Sequence, residues 1–243
     1  MLCVNAPVVD LLRSPDGRRD RQLLMGDEVR SLQSGDGFHY VQSVKDSYIG
    51  YVADGLISEQ NAPTHMVASR ATHAYSTESF KSSERYALSF GARVQVVDER
   101  KKFFETSVGF IPKKHLRPIE QRFSDPVTIA QIFFGTPYLW GGNSSAGVDC
   151  SGLVQAALLA CGEACAGDSG DQEQMIGGQI ALDAPYLRGD LLFWKGHVAM
   201  MVDAETLIHA NAHHMATVYE SVAAAITRIE VQGDGPVTTR RRL

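Results

Sequence analysis

The sequence predicts a multidomain chain in which two small all-β barrels precede an α+β domain. Three observations carry this prediction. The first half reads as short strands and turns, and its pattern runs through twice. The second half reads as helices first and strands afterwards. At 243 residues the chain is long enough for more than one hydrophobic core.

In the first pass, Leu23–Val29 leads into Phe38–Val44 across the turn Ser34-Gly35-Asp36-Gly37, and Tyr48–Val52 precedes Leu56-Ile57. β-Branched and aromatic runs between glycine turns are hairpin signals. In the second pass, Gly91–Val97 answers Gly26–Val29, and Val108–Pro112 answers Ile49–Ala53. Lys114-His115-Leu116 stands where Gly55-Leu56 stood. The expected modules are 5–60 and 66–118. No Gly/Ser-rich linker follows them; the join runs through Arg117-Pro118-Ile119 to Ser124-Asp125-Pro126.

The α+β domain is expected over 124–232. Val127–Phe134 is an apolar helical run behind Pro126, with Ser124 or Asp125 as its cap. Turn residues between Gly135 and Gly147 lead to Asp149-Cys150-Ser151-Gly152 and the helix-favouring run Leu153–Ala160, which ends near Gly162. Gly167–Gln172 reads as a polar loop. Leu191–Trp194, Val198–Val202 and Thr206–His209 read as strands, the last two joined by the Asp203-Ala204-Glu205 turn, and Ile226–Val231 is expected to close the sheet.

The composition excludes several classes. Hydrophobic content of 44% and charged content of 21% are ordinary for a soluble globular protein. A net charge of −5 gives no basic field for nucleic acid or an anionic membrane. Arg240-Arg241-Arg242 is expected to be a frayed cationic tail. No apolar run reaches the length of a membrane span, so no membrane insertion is expected. The first residues, Met1 to Pro7, lack the basic and long apolar regions of a secretory signal, which gives a cytoplasmic expectation. Cys3, Cys150, Cys161 and Cys165 are too few and scattered for a disulfide framework. No cofactor is expected, and nothing in the sequence sets the oligomeric state.

One stretch carries chemistry. Asp149 is a good N-cap type, which puts Cys150 in the first helical turn, where unpaired backbone N–H groups and the positive dipole end gather. A thiol there is pushed towards thiolate. A lone cysteine in an apolar context is ordinarily a small buried hydrophobe; the cap-and-glycine setting and a histidine downstream argue against that here. His197 opens one strand after the Lys195-Gly196 turn, and His209 ends the next. Antiparallel pairing puts both at one end of the sheet, as a general base and its orienting partner require.

Pro137-Tyr138-Leu139-Trp140-Gly141-Gly142, Asp149-Cys150-Ser151-Gly152-Leu153-Val154, Arg188-Gly189-Asp190-Leu191-Leu192-Phe193, His197-Val198-Ala199 and Ile208-His209-Ala210 occur together and in order. This set strongly resembles the NlpC-type cell-wall peptidases, which are papain-like cysteine enzymes. The two β modules resemble tandem bacterial SH3-like domains. The resemblance implies Cys150 as nucleophile, His197 as general base, His209 as the polar third member, and hydrolysis of peptide bonds in murein stem peptides. It resembles most the γ-D-glutamyl-L-diamino acid endopeptidases, in which a free N-terminal L-alanine is read by acidic and tyrosine side chains between module and catalytic domain. Asp168-Ser169 and Gln172 match that subgroup's Asp-Ser…Gln loop, although Ala166-Gly167 replaces its usual Pro-Arg. Asp20 resembles the position of its glutamate and Tyr48 that of its tyrosine. Tyr138 and Trp140 flank the nucleophile loop, the Tyr138 hydroxyl as an oxyanion donor beside the Cys150 N–H; Asp149 completes the substrate-side set, and Ser151 reads equally as a substrate contact or as a hydrogen bonder at the helix start.

Rival readings are a metal site, a binding module and a transferase. His209, His213 and His214 have ligand-like types, but no carboxylate accompanies them at ligand-like spacing, and Cys161-x-x-x-Cys165 lacks a second pair. A non-catalytic module that holds murein peptides or a protein partner would not need Cys150, His197 and His209. Amide or acyl transfer on the same papain-like site remains open, as does the third residue of the peptide, lysine or diaminopimelate.

Overall fold

The computed structural model describes residues 1–59 and 61–243. Gln60, the last residue of the expected first module, lies outside the described residues. The chain divides into two compact units, Met1–Arg122 with Asn143–Ala146, and Phe123–Gly142 with Gly147–Leu243.

The first unit is built of strands. Arg19–Leu24, Val8–Leu12, Ile49–Ala53, Phe38–Ser43, Glu28–Gly35, Leu2–Val4 and Ile57–Ser58 form one sheet in that spatial order. The expected turn is there: Gly35 faces Phe38, and Asp36 (φ 54°) and Gly37 (φ 80°) take the positive angles that a two-residue hairpin needs to match strand twist. Leu23–Val29 is not one run. Leu24 ends a strand and Glu28 begins the next, the turn being closed by the Leu24 N–H donating to Asp27 Oδ2 at 2.9 Å. Alternation supplies the core, as in Val9 and Leu11, which pack with Val4, Leu23, Val29, Val41, Val52 and Ile57. Residues 65–118 form a five-stranded and a three-stranded sheet around a second core of Val67, Ala74, Leu88, Val94, Ile111 and Leu116. Leu24 and Met25 belong to this second core, although they come from the first pass of the pattern.

In the second unit, helix α1 (Pro126–Ile132) starts as expected. Asp125 Oδ1 accepts from the Val127 N–H at 3.0 Å, and Pro126 occupies the first position, where no N–H is needed. Helix α2 (Cys150–Cys161) is capped by Asp149 and stopped by Gly162 at φ 82°, a left-handed angle that glycine takes without strain. It packs on α1 and on the strands His197–Met201 and Thr206–Asn211.

Three expectations fail in this unit. The expected loop Gly167–Gln172 contains the start of helix α3 (Ser169–Met175), a short polar helix whose one buried residue is Gln172. Ile226–Val231 is not a strand but part of helix α4 (Val222–Gln232), because Val222, Ala225 and Ile229 recur at helical spacing and are the residues it buries. They close a core with Leu192, Trp194, Ala199, Met201 and Leu207. The arginine tail is not frayed: Thr239–Arg242 is an inner strand of the sheet, between Gly178–Ile180 and Leu191–Trp194. The antiparallel sheet continues through His197–Met201, Thr206–Asn211 and Ala216–Ser221. It therefore extends past residue 232, the expected domain end.

Candidate active site

The nucleophile loop is shaped by a carboxylate. Asp149 is buried; its Oδ1 accepts from the Gly152 N–H at 2.7 Å and the Ser151 hydroxyl at 3.2 Å, and its Oδ2 from the Gly141 N–H at 2.9 Å. Asp149 and Ser151, both buried, thus hold the start of α2 and its preceding loop. Gly152 is required by space, since a Cβ there would lie 2.4 Å from the Gly142 carbonyl oxygen. The loop is tied to the sheet on its other side by the Gly135 N–H donating to Thr217 O at 2.9 Å and the Tyr138 N–H to Met215 O at 3.0 Å. Cys150 is consequently fixed as the first residue of a 12-residue helix, at the end whose dipole favours a thiolate.

Cys150 is 7% exposed, and that exposure opens on a cleft of about 470 Å³. Tyr138, Trp140, Lys195, His197 and Arg228 line the same cleft. Trp140 is 70% exposed there, a large aromatic face open to a ligand. Burial first, and then the charges of Cys150 and Asp149, raise the Tyr138 pKa, so the phenol stays protonated and able to donate. The Cys150 Sγ lies 4.0 Å from the Gly196 carbonyl oxygen, in the turn that precedes His197.

The two histidines meet as expected. His197 Nε2 and His209 Nδ1 are 2.9 Å apart, and the Trp194 ring lies 5.7 Å from the His197 ring. Both imidazoles are held below their ordinary pKa, by burial foremost. For His197 the neighbouring His209 and Arg228 act the same way; for His209 the Glu220 carboxylate opposes it. Both rest neutral near pH 7.

Two further residues stand behind them, and neither was singled out from sequence. Leu207 pairs with Glu220 and His209 with Val218 across the hairpin, so His209 and Glu220 stand diagonally on one face of the sheet. Glu220 Oε2 is 3.1 Å from His209 Nε2, and Arg228 of α4 grips the carboxylate through Nε at 3.0 Å and Nη2 at 2.7 Å. Hydrogen bonding to His209 and then to Arg228 keeps Glu220 ionised against the effect of burial. The sequence signal was an alternating acid on the strand after His209, and it is visible only once the register is known.

This pairing corrects the metal argument, because the hairpin brings a carboxylate to the histidines. Donor atoms of His209, His214 and Glu220 lie within 4.8 Å of one another. Arg228 already grips that carboxylate and repels a cation, and His213, on the wall of the same cleft, is not one of the three donors, its Nδ1 lying 2.9 Å from Gln232 Nε2.

The remaining expected contacts divide between the units. Asp168 is exposed at the N-terminus of α3, followed by Ser169. The Gln172 amide donates to the Ser151 and Ala166 carbonyls, both at 2.9 Å, which moors the loop without the family's Pro-Arg pair. In the first unit, Asp20 is held by Arg13 at 2.8 Å. Tyr48 packs against the first core. Asp20 is thus a paired charge and Tyr48 a packed ring.

Comparison with known proteins gives the same outline. The NlpC/P60 family matches residues 135–229, and the bacterial dipeptidyl-peptidase SH3 domain matches residues 11–55. The chain is 28% identical over 198 residues to the gamma-D-glutamyl-L-lysine dipeptidyl-peptidase of Bacillus subtilis, which covers 70% of this chain and 65% of that protein, just under two thirds of its length. It is 33% identical over 108 residues to the probable endopeptidase NlpC of Escherichia coli, covering 39% of this chain and 70% of that one. The crystal structure of an NlpC/P60 family protein from Bacillus cereus superimposes with a TM-score of 0.83 over 99% of this chain and 98% of its own; at 18% identity this bears on the fold. An SH3 domain and a mixed α/β catalytic domain are therefore both present, and the sequence shared across most of the E. coli relative makes this chain a member of the NlpC/P60 family, which are cysteine peptidases.

Proposed function

We propose that the chain is a cysteine endopeptidase that cuts the γ-D-glutamyl–diamino acid bond of murein stem peptides bearing a free N-terminal L-alanine. One observation carries the chemistry: Cys150 and His197 line a single cleft while His197 is hydrogen-bonded to His209. The choice of bond leans on the B. subtilis relative, whose name specifies a γ-D-glutamyl-L-lysine linkage.

The His197 ring takes the Cys150 proton, and the sulfur attacks the γ-glutamyl carbonyl carbon. The oxyanion is met by the Cys150 N–H and the protonated Tyr138 hydroxyl. His197 then returns the proton to the leaving amine of the diamino acid, and water, activated by the same ring, releases the acyl group. Asp168 is the carboxylate assigned to the L-alanine ammonium. Asp20, already ion-paired with Arg13, suits that role less.

The second β module, 66–118, is read as another SH3-like barrel beside 5–60, supported by its own core. Soluble peptides released during wall recycling in the cytoplasm are the proposed substrates. The test is hydrolysis of L-Ala-γ-D-Glu-diaminopimelate and its lysine counterpart, read as fragment masses. Cys150→Ala is expected to abolish cleavage while retaining the fold, and residual turnover in that variant sinks the assignment.

A further inference from the structure

We propose that Glu220 is a positioning residue that sets the tautomers of both histidines, so that His197 presents a bare Nδ1 to the Cys150 thiol. This rests on the peptidase reading only for what the thiol does next; the tautomers themselves follow from the hydrogen bonds.

The proton inventory starts at Arg228. A guanidinium has donors and no acceptor, and it engages both Glu220 oxygens. Glu220 is an ionised acceptor, so the hydrogen in its contact with His209 must sit on His209 Nε2. His209 is fully buried and neutral, which leaves its Nδ1 with a lone pair. The hydrogen in the 2.9 Å contact between the rings must then sit on His197 Nε2. Neutral His197 is left with Nδ1 as its one basic nitrogen. Each acceptor dictates the next donor, from a salt bridge on α4 to the ring beside the nucleophile.

The arrangement also suits the charged state. When the Cys150 S–H bond breaks and the proton forms a bond with His197 Nδ1, the imidazolium still donates from Nε2 to His209, and no group turns. The new positive charge is then linked through a neutral ring to the Glu220 carboxylate. Titratable groups around the pair are Glu220 from the Ala216–Ser221 strand, Arg228 from α4, Asp234 after α4, Lys195 from the turn before His197, and His213 and His214 beyond His209. Of the two carboxylates, Glu220 is the one hydrogen-bonded to the ring pair.

The experiment compares the unaltered chain with Glu220→Gln, which keeps shape but removes the charge and the enforced acceptor. Imidazole 15N spectra should show Nε2–H forms for both histidines in the unaltered chain, and a changed or mixed His209 pattern in the variant. The iodoacetamide alkylation rate of Cys150 near pH 7 should fall roughly 10- to 100-fold, and kcat/KM likewise with little change in KM, the scale seen when an outer partner that orients a working histidine is removed. Arg228→Gln, a second variant, guards against misfolding of the first: Glu220 remains, and both rings should keep their Nε2–H forms at neutral pH. Unchanged spectra and alkylation in Glu220→Gln, or an Nδ1–H form of His197 in the unaltered chain, overturn the proposal. Absence of peptide hydrolysis by the unaltered chain refutes the peptidase reading instead, and the ring spectra then still decide this one.

Discussion

Removing the carboxylate of Asp190 is expected to destabilise the catalytic unit without touching its cleft. Asp190 is fully buried and accepts from Arg242 Nε at 2.7 Å, Arg242 Nη2 at 2.8 Å, Arg240 Nη2 at 3.4 Å and the Leu187 N–H at 3.0 Å. Burial alone would raise its pKa, but the hydrogen bonds and the two guanidinium charges hold it below the usual range. Asp190→Ala leaves Arg240, only 1% exposed, without its counter-charge. Breaking a buried pair costs about 3–5 kcal/mol. The carbonyls of Leu182 and Ala184, which accept from Arg240 at 2.8 and 2.6 Å, remain and favour the lower end. A loss of about 3 kcal/mol corresponds to a Tm lower by roughly 10 °C for a unit of this size. Urea unfolding followed by circular dichroism measures it. The double variant D190A/R240M should recover much of the loss, because an apolar replacement of a buried pair is often neutral. A loss below about 1 kcal/mol, or no recovery in the double variant, refutes the account of Arg240 as a buried charge needing its partner.

Three other outcomes follow from the site. Tyr138→Phe removes one proposed oxyanion donor and should lower kcat by about 100-fold at nearly constant KM; an unchanged kcat assigns the phenol to packing. Acetylating the L-alanine amine of the tripeptide should lower turnover at least 100-fold if the bound ammonium is desolvated beside Asp168. A fall of less than tenfold is the scale of an exposed pair and contradicts a buried amine gate. Acid should unfold the catalytic unit: His197 and His209 have folded pKa values below the ordinary 6.5, so the unfolded chain binds more protons and stability drops as the pH falls from 6.5. Glu220, also depressed, adds its loss further down. Urea midpoints at pH 7.5 and 5.0 test this, and His209→Asn should flatten the difference.

Local signals in the sequence found the nucleophile helix almost to the residue, because the Asp149 cap and the Gly162 stop are chemistry of one turn each. Strand alternation and the Lys195-Gly196 turn likewise brought His197 and His209 to the same end of the sheet. The misses have a common cause, which is partners far along the chain. The arginines of Thr239–Arg242 read as solvated charge because their acceptor, Asp190, lies 50 residues earlier. Ile226–Val231 taken alone reads as a strand, while the core that selects the Val222-Ala225-Ile229 stripe of α4 comes from other elements. Helix α3 has one buried side chain to betray it. Glu220 needed the register of a hairpin before it had any meaning.

The position of Thr239–Arg242 bears on the order in which the sheet is assembled. Every other strand of that sheet comes earlier in the chain, yet Gly178–Ile180 pairs with this last strand, which itself lies beside Leu191–Trp194. Such distant pairings are slow to form because the intervening chain must be closed first. The sheet of the catalytic unit is therefore complete only when Thr239–Arg242 is in place between these two strands.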